Sequence, residues 1–201
     1  MKKVNTMKLV GVALLTAIVV VLQVVVGSIK AGPFSITLSL VPIVVGAALY
    51  GKKAGAWLGF VFGCLTLLDA AAFFAISIPA TVFVCLLKGT LAGLCAATVY
   101  SLTEKVNGIL AVALAAITAP VVNTGVFLIG CSLFFLDAVK AWGQAAGFEN
   151  VFLFMIVGFV GINFLVELGV NLILSPAIVR IVAVGKKNLA KKNDETPAKT
   201  V

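Results

Sequence analysis

The chain has no histidine, and only 11% of its 201 residues are charged. Histidine is the side chain most often used as a general base and as a metal ligand. Its absence, with no Ser/Asp/Lys constellation and no paired carboxylates at useful depth, leaves nothing on which to build an enzyme. Metal chemistry is equally poorly served. The four cysteines, Cys64, Cys85, Cys95 and Cys131, lie inside apolar runs without CxxC spacing, which fits small packing residues. Neither a disulfide nor a metal site nor a cofactor is expected.

The shortage of charge has a second consequence. A soluble domain carries about 25% charged and 45–50% apolar residues; here 62% are hydrophobic. Such an excess cannot be hidden in one small core, so the solvent for most of the chain is lipid. The expected fold class is all-α, an integral membrane bundle of about six transmembrane helices. The apolar runs place them near 8–27, 36–50, 53–69, 79–101, 108–136 and 151–183, the second being short for a full crossing. The first follows a basic N-terminus but is longer than the roughly 7–15 apolar residues of a signal peptide, and reads as a retained helix. Residues 1–185 form the membrane domain. Residues 186–201, KKNLAKKNDETPAKTV, read as a basic, disordered cytoplasmic tail.

The formal charge is +8. In a soluble protein that balance would point to nucleic acid, but here the cations sit between and beyond apolar spans, where they set topology and touch anionic lipid. An even number of crossings puts both termini on one side. That side holds Lys2, Lys3, Lys8, Lys52, Lys53, Lys105, Arg180, Lys186, Lys187, Lys191, Lys192 and Lys199, whereas the other holds Lys30 and Lys140. The positive-inside rule makes the first side cytoplasmic, in a multi-pass protein of the cell membrane.

The stretch GAALYGKKAG, Gly46 to Gly55, nearly matches the phosphate-binding pattern G-x-x-x-x-G-K-[ST]. Lys53 replaces the hydroxyl that would reach Mg²⁺, and the stretch lies between two apolar helices. Gly51-Lys52-Lys53 therefore reads as a tight cytoplasmic turn, and ATP hydrolysis by this chain is not expected. Gly51, Gly55, Gly59 and Gly63, four apart, line one face of the third helix, with Gly89 and Gly93 on the fourth. Faces of this kind let helices approach closely in lipid, within the bundle or against a partner. Ala13 and Ala17 make a similar face on the first helix, where Thr6, Val10 and Gln23 lie nearby and nothing looks catalytic.

Charged groups at mid-membrane cost about 2.5–3.5 kcal/mol or more, which makes them functional candidates. Lys88 and Glu167 are two such groups. Asn163, Glu167 and Asn171 form a stripe at i, i+4 and i+8, and Asn123 follows Pro120 on the fifth helix. These positions imply a polar pocket between the fourth, fifth and sixth helices, open to the outside, with Glu167 and Asn171 deeper than Lys88, Asn123 and Asn163. A Lys88–Glu167 ion pair, with asparagines bonding between helices, is the structural alternative. Outer loops supply a cover, from Phe34 after Gly32-Pro33 and from Trp142, Phe148 and Asn150 in FFLDAVKAWGQAAGFEN.

Several segments together resemble a known family: A-x-x-x-A at Ala13 and Ala17, the Gly-Pro loop, LSLVPIVVGAALYGKKAGAWLGFVFG at 38–63, LLKGTLAGL at 86–94 and APVVNTGVFLIG at 119–130. The chain is similar, to about Val184, to the substrate-binding S components of energy-coupling factor (ECF) vitamin transporters. The resemblance implies capture of a vitamin or related micronutrient at the outer face. It also implies docking, through Ala13 and Ala17, on a transmembrane coupling subunit driven by two cytoplasmic ATPases. Lys88 suits a ligand carboxylate and the asparagines its hydroxyl or amide groups. Pantothenate is the first candidate on that ground, with folate or another carboxylated vitamin next; a flavin is disfavoured because the pocket-facing stretches carry few aromatics. The competing readings are a self-sufficient ion-coupled secondary transporter using Glu167, for which no internal repeat is evident, and a membrane scaffold without a ligand.

Overall fold

A computed structural model describes residues 6–27, 30–31, 34–35 and 38–194, without the side chains of 26–27, 30–31, 34–35, 162 and 190–194. It is almost entirely helical. α1 (Thr6–Gly27) is followed by a two-residue antiparallel pair, β1 (Lys30–Ala31) with β2 (Phe34–Ser35), in which Lys30 faces Ser35. α2 (Leu40–Tyr50) and α3 (Lys52–Thr66) are short, and a 3₁₀ turn (Leu67–Asp69) and α4 (Ala71–Phe74) follow. α5 (Ile78–Thr103) and α6 (Gly108–Phe134) are long. α7 (Leu136–Ala145) and α8 (Val151–Leu153) lead through a π-helical stretch (Phe154–Phe159) into α9 (Gly161–Asp194). Among the described residues, four helices are long and apolar enough to cross a membrane, within Thr6–Val25, Ile78–Thr103, Gly108–Phe134 and Asn163–Leu189.

Local chemistry sets these boundaries. The Ser77 side chain caps α5 by accepting from Ala80 N–H, and Pro79 sits in the first turn, where its missing N–H is harmless. Asn107 caps α6, its Oδ1 accepting from the N–H groups of Ile109 and Leu110 at 2.9 and 3.2 Å. The near-P-loop is a turn, as its setting implies. Gly51 has φ of 82°, a conformation that favours glycine, and Lys52 and Lys53 open α3 as exposed side chains.

α3 and α5 meet backbone to backbone. A Cβ added to Gly59 would lie 2.1 Å from the Gly89 carbonyl oxygen, and one on Gly93 would lie 2.0 Å from that of Gly55. At Gly63 the same test meets the Cys85 oxygen at 2.6 Å. The glycine stripe is thus used inside the bundle, on three positions rather than four, because Gly51 belongs to the turn.

Two apolar clusters flank this seam. One gathers Leu40, Ile43, Val44, Leu58, Ala96, Tyr100, Ala115 and Ile178 toward the Gly51 end. The other gathers Val84, Cys131, Phe135, Val139, Phe154 and Met155 at the opposite end. Below the first cluster Lys186 of α9 pairs with Glu104 at the end of α5, and its ammonium lies 4.9 Å from the Tyr100 ring centroid.

Three expectations need correction. The outer segment containing Trp142 is a helix, α7, not a loop. Its buried side is Val139 and Gly143, while Asp137 and Lys140 pair at 3.6 Å on the exposed side. The sixth apolar run is broken before Gly161 by the π-helical stretch, so its long helix starts ten residues later than its apolar pattern. α9 also continues to Asp194, so 186–194 is helical where composition reads as disordered; Lys, Leu and Ala there are good helix formers extending an existing hydrogen-bond ladder. The rest of that tail lies outside the described residues.

The glycine seam makes a testable demand. Gly59→Ala is expected to lower the folded yield and destabilise the bundle by about 1–3 kcal/mol. Gly125→Ala, where nothing lies within 4 Å of the added carbon, should leave Tm unchanged or raise it. Thermal unfolding of detergent-purified variants checks this, and equal behaviour of the two would contradict the seam.

Candidate functional site

Between the two clusters lies a cavity of about 310 Å³, at the small end of the roughly 300–1,000 Å³ typical of small-molecule sites. Its wall is built from the end of α1, the end of α3 with its 3₁₀ turn, α4, the first half of α5, the second half of α6, the π-helical stretch and the start of α9. All of these ends lie away from the Gly51 turn and the Glu104–Lys186 pair. The cavity and the basic end of the bundle are therefore opposite.

Lys88, Asn123, Asn163 and Glu167 all line this cavity, as their spacing predicts. Lys88 lies near the middle of α5 with its Nζ 4.9 Å from the centroid of the Phe127 ring, a cation–π contact. Two ion pairs, Lys140–Asp137 and Lys186–Glu104, lie elsewhere in the bundle. Asn123 is buried, and Asn163 is partly buried, yet the Oδ1 of each is sealed from solvent with no protein donor. A buried acceptor left unpaired costs about 1–3 kcal/mol; Asn171 Oδ1, outside the lining, is unpaired in the same way. Glu167 is buried on the same wall, four residues beyond Asn163.

Asn171 takes no part in the lining. It is fully buried, its Nδ2 donating to the backbone carbonyl of Glu167 at 2.8 Å, so its bond lies within α9 rather than between helices. The side chain of Phe34 lies outside the described residues. Trp142 stands behind the wall, not in it. Its ring meets Phe73 edge-on at 5.5 Å and Phe159 at 6.0 Å, and both of those line the cavity. Asn150 caps α8, accepting from Phe152 N–H at 2.9 Å, and Phe148 packs on Phe154.

Two features escape sequence inspection. The first is aromatic: Phe62, Phe73, Phe127, Phe135, Phe159 and Phe164 all face the cavity, which removes the ground on which a flat ligand was disfavoured. They come from four separate stretches, so no local pattern announces them. Phe73 organises them, its ring 5.0 Å from Phe135 and 5.7 Å from Phe127, both edge-on. The π-helical stretch brings Phe159 to the wall; such insertions recur at functional sites. The second is Gln23 of α1, a buried residue on the cavity wall whose Oε1 accepts from the fully buried Ser39 Oγ at 2.9 Å. Its signal was a lone amide in an apolar helix, without a partner in sequence.

Asn123→Leu is expected to keep or raise the Tm of the ligand-free protein, since it deletes an unpaired buried acceptor. A loss of more than several degrees in thermal unfolding would assign Asn123 to the framework instead.

The family model for the ECF transporter, substrate-specific component, matches residues 7–179. No curated protein matches the chain significantly.

Proposed function

Because the chain belongs to the substrate-specific components of ECF transporters, we propose that its cavity captures a small carboxylated micronutrient, pantothenate being the first candidate. The observation that carries this is that one cavity is lined by the Lys88 ammonium and by the amides of Gln23, Asn123 and Asn163. A fixed cation in a low-dielectric site holds a carboxylate. Amide oxygens accept from hydroxyl or amide donors. Pantothenate carries a carboxylate at one end and hydroxyl and amide donors along its length. The cavity volume favours a molecule of that size over folate. The ring wall supports a second reading, a small planar aromatic carboxylate stacked among the phenylalanines.

The protein crosses the membrane six times, by α1, α2, α3 with its 3₁₀ turn, α5, α6 and α9, with both termini in the cytoplasm. The positive-inside rule favours this topology, since Lys52, Lys53, Lys105 and Lys186 gather at the end remote from the cavity. The cavity then faces outward. Delivery inward follows docking on the coupling subunit and its two ATPases. Ala13 and Ala17 form the dock: both are exposed on α1, on one face with Val10 and Val21, and small residues there permit close helix approach.

Titration calorimetry with pantothenate tests the capture reading. Lys88→Ala is expected to weaken binding by more than about tenfold while the protein still inserts; unchanged affinity would remove Lys88 from the site. Ala13→Trp and Ala17→Trp should abolish uptake in cells supplying the ATPase module, yet spare binding by the isolated protein. Normal uptake with both variants would show that this face is not the dock, and uptake without partner ATPases would favour an ion-coupled carrier.

A further inference from the structure

α1 has two faces with different tasks. Val10, Ala13, Ala17 and Val21 are exposed, whereas Val19 and Gln23 point inward and are buried. Gln23 is the polar member of that inner face, and it lines the cavity together with Asn123 of α6 and Asn163 of α9.

A primary amide has one acceptor oxygen and two N–H donors. In Gln23 the oxygen is committed, accepting the 2.9 Å hydrogen bond from Ser39 Oγ. Ser39 is fully buried directly before α2, so the donor is held by the packed start of that helix. In this structure the bond turns the amide oxygen toward Ser39. The Nε2 donors are left on the other side of the amide carbon. Asn123 and Asn163 carry the same two functions, but their oxygens are buried without a protein partner, and Lys88 offers a charge.

We infer that Gln23 is a specificity-determining residue that donates from Nε2 to a neutral acceptor on the substrate, a carbonyl oxygen or ring nitrogen, and that Ser39 is its positioning residue. The inference rests on the cavity being the capture site. It adds to Lys88, which reads charge, a neutral donor that reads the substrate's interior. Ser39 acts only through Gln23. Removing its hydroxyl frees the amide to rotate and present oxygen to the cavity, which sets like against like at the substrate acceptor.

The test uses the full chain in detergent, with pantothenate, nicotinate, riboflavin and folate as probes in a thermal-shift screen and calorimetry on whichever binds. Gln23→Glu and the uncharged Gln23→Met both delete the amide donors; affinity should fall by about tenfold or more in both, whereas a fall in Gln23→Glu alone would be charge repulsion and would overturn the inference. Ser39→Ala should weaken binding by roughly three- to tenfold, and Ser39→Thr, which restores a hydroxyl, should recover most of it. A purely structural bond predicts instead that Ser39→Ala lowers Tm without changing affinity. Wild-type affinity in Gln23→Glu, or equal affinities in Ser39→Ala and Ser39→Thr, would overturn the inference while leaving the capture reading intact. Wild-type protein that binds none of the four probes would overturn both.

Discussion

The approach of α3 to α5, glycine against glycine, is the contact on which the rest of the structure depends. Hydrophobic burial does little to join helices in lipid, so surface shape decides which helices meet. With Gly55, Gly59 and Gly63 facing Gly89 and Gly93, the two backbones come within reach of each other's carbonyls. That approach brings Phe62 and Thr66 of α3 alongside Thr81, Cys85 and Lys88 of α5, which form one side of the cavity. Bulk on either face would separate the helices and with them the ligand groups they carry.

The cavity combines groups that are each expensive in a membrane. An ammonium, two carboxylic side chains (Asp69 and Glu167) and three amides share a space also lined by six phenylalanines. Lys88 is partly accommodated by the Phe127 ring face, and Gln23 by Ser39. The asparagine acceptors are not accommodated by protein at all. Stability alone would select against such an arrangement, since apolar residues of similar volume would pack there at lower cost. Binding of a polar molecule accounts for it, and membership of a family of transporter substrate-binding subunits supplies the context.

The features legible in the sequence were those with a local signature. Apolar runs located α1, α5 and α6 to within a few residues, and glycines four apart identified the helix seam. Mid-helix Lys88, Asn123, Asn163 and Glu167 stood out because charge and amides are rare in apolar runs, and the fold does bring them together. The aromatic wall had no such signature, because its rings come from separated stretches and phenylalanine is ordinary in a membrane helix. Gln23 was passed over for a related reason: its partner Ser39 lies sixteen positions away. α7 and the π-helical stretch both pack on the Phe73 ring, through Trp142 and Phe159, tertiary contacts that the periodicity of the apolar run does not carry.

Capture of one small polar molecule in this cavity is the central claim, and mass spectrometry of small molecules released from the detergent-purified chain tests it most directly. The account predicts a single carboxylate-bearing compound in near-equal proportion to protein. A well-folded sample that releases no such compound, and is stabilised by no micronutrient added back, would contradict it.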